Sequence, residues 1–504
     1  MINKRLLLSN VFANVAMGSA SAVMALVLPP ILVRSLDKVV FGTWELVLQV
    51  GAYTAFLNFG IEVAVGRFVA YHTEQSQYEE RNRVVSTAFA MLIVMALIGL
   101  LMVAILVALL PMMFHGMPAS LVKEARIALA LVGGALALRL PFNATNAVFI
   151  GLQQNRVPAN ITVISKVVLT IGLAVVAGLV HDLLSLAVVF SVTSVLTYLW
   201  QWNVFKRKAG FVEISKKFVS RKDVRSVASY CVSLTIWSVA MLMVSGLDTT
   251  IVGIFDYGSV AYYAVAASLV GFMIGFQNAV FSTLIPAGAA FAAKSTPEQV
   301  GQVLIRTSKY GTLILLATGI PVLLTARPIL TFWVGKSYAD AGTAILQILV
   351  FANIMRWTAG PYAMLLVATE KQRYVVVTPL IEGFTNLVFS VLLAWRFGVI
   401  GVAVGTLIGS FTGVLGNYTY NMNRTQDAIR FKLSDYYLQA LWKPAACCLP
   451  LIIPLYFYLY DDVGSGWQAV LWVFSGVAGI AVMWGYALDD HEKHVVLSAM
   501  RTRS

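Results

Sequence analysis

Charge is the scarcest commodity in this 504-residue chain. Asp, Glu, Lys and Arg together make up 12% of it, against 59% hydrophobic residues. A water-soluble domain keeps about a quarter of its residues charged to cover its apolar interior, so a water-soluble globular protein is excluded and the solvent must be lipid. Cysteine is nearly absent. Cys231, Cys447 and Cys448 all fall in apolar runs, which argues against a disulfide framework and against a thiolate metal site. Histidine is also rare: His115 and His181 stand alone in short connections, and His491 and His494 lie in a polar tail. No connection is long enough to hold an extramembranous catalytic domain, and no His–carboxylate constellation offers acid–base chemistry, so the chain does not read as an enzyme. A small-residue cleavage site is missing after the first apolar run, which ends in Pro29-Pro30 and Arg34; the run reads as a retained helix and not a removed leader.

What is present is a series of about fourteen apolar runs of about 20 residues or more, each long enough to cross a hydrocarbon core of about 30 Å. They lie near 8–33, 39–66, 84–110, 127–150, 157–180, 183–205, 226–254, 259–291, 309–334, 341–368, 373–395, 398–420, 440–460 and 466–487. The expected fold is therefore all-α and polytopic. The net charge of +13 does not call for nucleic acid. Basic residues concentrate in alternate connections, about 26 on one side and about 6 on the other, which is the positive-inside pattern with both termini cytoplasmic. The densest cluster, KRKAGFVEISKKFVSRKDVR at 206–225, reads as a cytoplasmic linker and an anchor for anionic lipid headgroups.

The sequence also repeats. RLPFNATNAVFIGLQQNR (139–156) aligns with RWTAGPYAMLLVATEKQR (356–373), pairing Arg139 with Arg356 and Arg156 with Arg373 at one offset of 217. PPILVRSLDKVVFGTW (29–44) aligns with DTTIVGIFDYGSVAYY (248–263), Asp37 over Asp256, at an offset of 219. Six runs per half imply a parallel repeat about an axis along the membrane normal. The expected organisation is an N-lobe at 1–205, the linker at 206–225, a C-lobe at 226–420, and two added helices plus a tail at 421–504. Two bundles of this kind suit alternating access.

Four stretches carry a family likeness: 34–72, GLQQNR with the apolar helix after it (151–180), LDTTIVGIFDYGSVAYYAVA (247–266), and PILTFWVGKSYADAGTAILQIL (328–349) leading into EKQRYVVVTPLIEGFTNLVFSVLLAWRFGVIGVAVGTLIGS (370–410). In them the chain resembles the polysaccharide-transport (Wzx-type flippase) family of the MATE-like (MOP) exporter superfamily. The resemblance implies two six-helix lobes with two C-terminal helices, in a bacterial inner membrane. It implies an oligosaccharide on a polyprenyl pyrophosphate as substrate, flipped to the periplasmic leaflet for O-antigen or exopolysaccharide synthesis. It further implies a cationic cavity, H+ or Na+ coupling without another cofactor, and work beside a polysaccharide polymerase and a chain-length regulator.

Charges inside the runs are the candidate site residues, because each costs about 2.5–3.5 kcal/mol on insertion scales. Arg139 and Arg356 lie mid-run at equivalent repeat positions, which repeat symmetry would turn toward one cavity; a guanidinium matches phosphate or a sugar carboxylate bidentately. Lys166 is a second cation for substrate, and Arg34 and Arg67, near run ends, would line a cavity mouth or reach the headgroups. Lys38, Glu62, Arg327 and Arg396 read as headgroup-reaching residues. Glu45, Asp248 and Glu382 are the acidic candidates for ion coupling. Gly401, Gly405, Gly409 and Gly413 recur every four residues and permit close helix contact or a hinge. A multidrug exporter of organic cations is the alternative reading, which cavity arginines disfavour by charge.

Overall fold

The computed structural model describes residues 4–281, 284, 288, 291–292, 294–369, 371–451, 453–454, 465–490 and 492–493. Pro286, His491 and His494 lie outside the described residues. The main helices are α1 Lys4–Ser35, α2 Lys38–Ala52, α3 Ile61–Glu74, α4 Tyr78–Met113, α5 Ala119–Leu138, α6 Leu140–Gly151, α7 Arg156–Leu179, α8 Leu183–Lys208 and α9 Arg221–Met241. They continue with α10 Asp248–Phe255, α11 Val260–Phe281, α12 Pro297–Leu324, α13 Ala326–Val334, α14 Lys336–Trp357, α15 Gly360–Ala368, α16 Val377–Gly416 and α17 Ser465–Val482. Among the described residues every element is helical.

The protein is an all-α polytopic membrane protein. Ten helices or helix pairs among the described residues are long and apolar enough to cross a bilayer. One of them, Val377–Arg424, runs 48 residues and leaves helical geometry at Gly398 (φ 56°, ψ −136°), so it holds two crossings, as the apolar runs at 373–395 and 398–420 anticipate. Leu101 is 63% exposed, Leu179 76% and Trp395 84%; such side chains are at home against acyl chains.

The chain forms two compact units. The first comprises Met1–Ala279, Arg327–Leu349 and Pro379–Gly409. Its α1 carries Pro29 and Pro30 inside the helix. Pro30 has no amide proton, so the Leu26 carbonyl four residues earlier loses its helical partner. The indole N–H of Trp333 takes that place at 2.8 Å, which docks α13 onto α1.

Contacts within this unit obey the repeat. Lys38 Nζ donates to Tyr262 Oη at 3.4 Å, and the Thr43 and Tyr257 hydroxyls share a hydrogen bond of 2.5 Å. Shifting each partner by 219 converts one contact into the other. Gly42 sits on its own equivalent: a Cβ there would stand 3.3 Å from the Ala261 nitrogen. Pairs of this kind are what a two-fold axis between equivalent segments produces. The two aligned aspartates both cap helices. Asp37 accepts from the Val39 amide at 2.8 Å, and Asp256 accepts from the Val399 amide at 3.2 Å, satisfying N-terminal donors that lack an intrahelical acceptor.

At Gly398 α16 folds back into an antiparallel hairpin. A Cβ on Gly401 would fall on the Leu393 carbonyl, one on Gly405 on the Ser390 backbone, and one on Gly409 at 2.7 Å from the Asn386 Cβ. The glycine stripe is thus a packing face, and its missing side chains set the separation of the two limbs.

The second unit comprises Val280–Ala326, Val350–Thr378 and Ser410–Ser504. Its core gathers Leu304, Tyr362, Leu365, Tyr418, Met422 and Tyr436. The buried phenols find partners: Tyr418 donates to Thr358 Oγ1 at 2.8 Å and Tyr436 donates to the Thr358 carbonyl at 3.1 Å, at the point where the tenth apolar run breaks between α14 and α15.

The end of the chain is tied to this unit by a buried ion pair, Lys309 to Glu492 at 2.5 Å. Burial raises the Glu492 carboxyl, but bonds from Lys309, the Asp489 amide and Tyr310 outweigh it, so the group titrates below the ordinary carboxylate range. A depressed carboxylate stabilises fully above its unfolded value, and the contribution disappears as pH falls through the lowered folded value. Glu492→Gln should therefore cost about 3 kcal/mol of local stability, read as faster amide hydrogen exchange over Asp489–Lys493. Wild type should match the variant only in acid.

Candidate functional site

Two clusters in the first unit contain Arg139, Lys166 and Asp248 of the ionisable residues singled out from the sequence. The first is cationic. Arg139 does not sit in an unbroken helix as its mid-run position implies; it is the joint between α5 and α6, with Pro141 at the start of α6. The run breaks there because proline cannot donate back into the preceding turn. Arg139 is exposed, so its guanidinium remains accessible. It interacts electrostatically with Glu62 on α3, Lys166 on α7 and Tyr198 on α8. Lys166 Nζ donates to Ser21 Oγ of α1. Close by in the chain, the Gln201 amide donates to the Phe142 carbonyl at 2.6 Å and to Thr145 Oγ1 at 2.8 Å, and Phe142 stacks on Tyr198 at 5.4 Å. Two cations and one carboxylate leave the cluster one positive charge, which attracts an anion.

The second cluster is acidic and surrounds Asp248. Span seven loses α-helical geometry as a π-helical turn, Leu242–Gly246, and Asp248 opens α10 just after it, 5% exposed. Tyr263 donates to Asp248 Oδ2 at 3.0 Å and Thr406 donates to the same oxygen at 3.2 Å. Asn386 Nδ2 lies 3.5 Å from Oδ1 and donates to the Val244 carbonyl at 2.5 Å. Ser390 stands 3.0 Å from Asn386 Oδ1 and 3.3 Å from the Val402 carbonyl, and Thr406 also stands 3.1 Å from that carbonyl. Each of these hydroxyls has one proton and two acceptors in reach. The cluster is therefore rich in acceptors around a carboxylate, a composition that takes up a proton or a small hard cation. Broken helices whose carbonyls turn inward are the usual setting for such sites in transporters. Among the described residues no group of three or more His, Cys, Asp or Glu could hold a metal; this cluster is one carboxylate among hydroxyl, amide and carbonyl oxygens.

Glu382 is buried on α16, one turn before Asn386 and two before Ser390, so it shares their face. Glu45 lies one turn before Gln49 on α2; Gln49 donates to the Gly246 carbonyl, and Tyr53 shares a hydrogen bond with Thr250. Glu45 is half-buried. Arg34 and Arg67 stand apart from both clusters. Arg34 Nη2 donates to the Phe332 and Trp333 carbonyls at 3.3 and 3.4 Å, at the C-terminal end of α13 where a cation meets the helix dipole. The exposed Arg67 lies 4.9 Å over the Tyr230 ring. Arg356, in the second unit, ends α14, with Pro361 at the start of α15; the local break repeats that at Arg139. His181 and Asp182 prove to be turn and cap: His181 adopts φ 64° and Asp182 accepts from the Ser185 amide at 2.7 Å.

A sequence profile for the family described as polysaccharide biosynthesis protein matches residues 7–291, more than half of the chain. The chain belongs to that family. Among curated proteins, the probable low-salt glycan biosynthesis flippase Agl15 of Haloferax volcanii is 23% identical over 223 residues, which cover 44% of this chain and 46% of that protein. The match thus spans about half the length of that relative. Among solved structures, the lipid II flippase MurJ in an inward closed conformation superposes with a TM-score of 0.68 at 14% identity, covering 95% of this chain and 98% of that one. An inward-facing MATE family multidrug resistance transporter of the MOP superfamily gives 0.66 at 13% identity, covering 83% and 99%. At these identities the likeness is one of fold.

Within this polysaccharide biosynthesis protein the family match includes Glu45, Arg139, Lys166 and Asp248, whereas Asn386, Ser390 and Thr406 lie beyond it. Sequence reasoning passed over those three, together with Tyr53, Tyr198 and Tyr263, and read Glu62 as a headgroup contact. The available signal was the spacing of four from Glu382 to Asn386 to Ser390 inside an apolar run, opposite the glycine stripe.

Proposed function

We propose that this protein is a flippase for a lipid-linked oligosaccharide, moving a polyprenyl-pyrophosphate glycan from the cytoplasmic to the periplasmic leaflet of a bacterial inner membrane by alternating access, with both termini cytoplasmic. The observation that carries the reading is the accessible Arg139 at a broken span, reinforced by Lys166, in a chain of a polysaccharide biosynthesis family. The guanidinium and ammonium hold the anionic pyrophosphate, and the polyprenyl tail stays in lipid. Arg356, at the equivalent repeat position in the second unit, is a further candidate for substrate contact. Asp248 with its oxygen neighbours is the ion-coupling site, taking H+ or Na+, and Glu45 and Glu382 are its acidic companions. Membership of the family and the name of the archaeal relative both support a glycan-carrying substrate, with O-antigen and exopolysaccharide precursors as the class for a bacterial chain and a polymerase and chain-length regulator downstream.

The test is reconstitution in liposomes with a polyprenyl-pyrophosphate oligosaccharide, followed by cleavage with an external glycan hydrolase. Wild type should expose substrate faster than protein-free vesicles. Arg139→Ala should slow this about tenfold or more, the worth of a hydrogen bond to a charged group, and Arg139→Lys should keep part of the rate. Normal flipping by the Arg139→Ala/Arg356→Ala double variant removes the arginines from the mechanism. Absence of flipping together with uptake of a cationic dye favours the multidrug-exporter reading.

A further inference from the structure

A second cationic feature lies away from both clusters, where the start of α7 meets the end of α8. A groove of about 420 Å³ runs between the two helices. At its mouth stand Arg156, the first residue of α7, and Lys208, the last residue of α8. Both are exposed, and among the described residues neither takes part in an ion pair. Asn160 follows one turn along α7. Beyond it the lining turns apolar: Ile164 and Trp200, 49% and 37% exposed, face the outside of the helix pair. From Arg156 to Ile164 is eight residues, or about 12 Å of helix. The groove therefore has two cations at one end and about 12 Å of hydrocarbon-facing wall leading away from them, the polarity of a single lipid molecule lying along the protein.

We infer that this groove is a binding site for an anionic phospholipid of the surrounding bilayer, its phosphodiester between Arg156 and Lys208 and an acyl chain along Ile164 and Trp200. Charge complementarity selects the occupant. Among the described residues Arg156 and Lys208 have no protein counter-ion, and Lys206 and Arg207 beside them add to the local positive potential, so a zwitterionic lipid gains little where an anionic one gains an ion pair. The helix ends place the site at the membrane boundary, where lipid phosphates lie. Trp at that depth has its own preference for the interface.

Trp200 makes the site observable. The full-length protein is reconstituted with phosphatidylglycerol or phosphatidylcholine brominated on the acyl chain, and Trp200's share of the fluorescence is taken as wild type minus Trp200→Phe. Brominated phosphatidylglycerol should quench that share at lower mole fraction than brominated phosphatidylcholine. Arg156→Gln and Lys208→Gln should each shift the midpoint about fivefold, the worth of one surface cation near an anionic lipid, and the double variant should erase the preference. Both side chains are exposed, so the variants keep the fold. Inorganic phosphate at millimolar concentration should leave the quenching curve unmoved. Equal quenching by the two lipids, an unchanged midpoint in the double variant, or displacement by free phosphate would each overturn the assignment.

Discussion

Asp248→Asn should leave a protein that inserts and folds but no longer answers an ion gradient. The substitution preserves shape and removes one negative charge, so its effect isolates electrostatics. In the native cluster the Tyr263 and Thr406 hydroxyls both donate to Oδ2, while the Asn386 amide approaches Oδ1. An asparagine can turn its oxygen to one side only. If it accepts from Tyr263 and Thr406, its own NH2 faces the NH2 of Asn386, and two donors meet without an acceptor. More important, the remaining oxygens are neutral dipoles, and a proton or cation in a buried site needs the carboxylate to offset the loss of its hydration. Flipping driven by a gradient should fall to the rate seen without one, a loss of about tenfold or more. The assay is the glycan-exposure measurement under imposed Na+ and H+ gradients in turn. Acceleration by either gradient in the variant would move the coupling role to Glu45 or Glu382. Thr406→Val, which deletes one donor and keeps the charge, should weaken ion dependence without abolishing it.

How much of this could be read before the fold was known depends on what each residue costs in lipid. The arginines and Asp248 stood out because a charge inside an apolar run is expensive enough to need a reason. Asn386, Ser390 and Thr406 cost far less, and a neutral polar residue in a membrane helix is ordinary, so three of the residues that complete the Asp248 cluster carried no comparable signal. Glu62 misled in the other direction. It lies near the end of an apolar run and reads as a headgroup contact, whereas span two is interrupted at Phe59 and Gly60, both with positive φ, and Glu62 opens the helix that follows, within electrostatic reach of Arg139. Helix breaks were hard to place because hydropathy reports composition and not continuity. The runs at 39–66 and 127–150 are apolar throughout, and only the proline at 141 marked one of the two interruptions. The orientation and the lobe boundaries expected from loop charge and repeat alignment enter only the proposal for function.

Gly405→Val should severely damage the fold. The second limb of α16 presents Gly401, Gly405 and Gly409 to the first limb, and at Gly405 the neighbour is main chain: a Cβ would overlap the nitrogen and Cα of Ser390 as well as its hydroxyl. A clash with a flexible side chain can relax by rotation, but one with backbone can relax only by moving the limbs apart. The hairpin cannot open freely, because its turn is fixed at Gly398, where a Cβ would stand 2.7 Å from Asp256 Oδ2 and where Asp256 holds the Val399 amide. Separation would also pull Ser390 from the Val402 carbonyl and draw Thr406 away from Asp248. Overpacking of a well-packed interior costs about 1–3 kcal/mol when side chains can adjust, so a backbone overlap that also strands buried polar groups should exceed about 3 kcal/mol. The expected result is loss of monodisperse protein in detergent, or a large fall in the midpoint of thermal unfolding where material survives. Gly405→Ala should show the same defect in milder form and, if recovered, weaker ion dependence of flipping, because the glycine stripe packs on Asn386 and Ser390, the first-limb residues of the oxygen cluster. A Gly405→Val protein with wild-type stability would mean that the two limbs are not held together as Gly401, Gly405 and Gly409 place them.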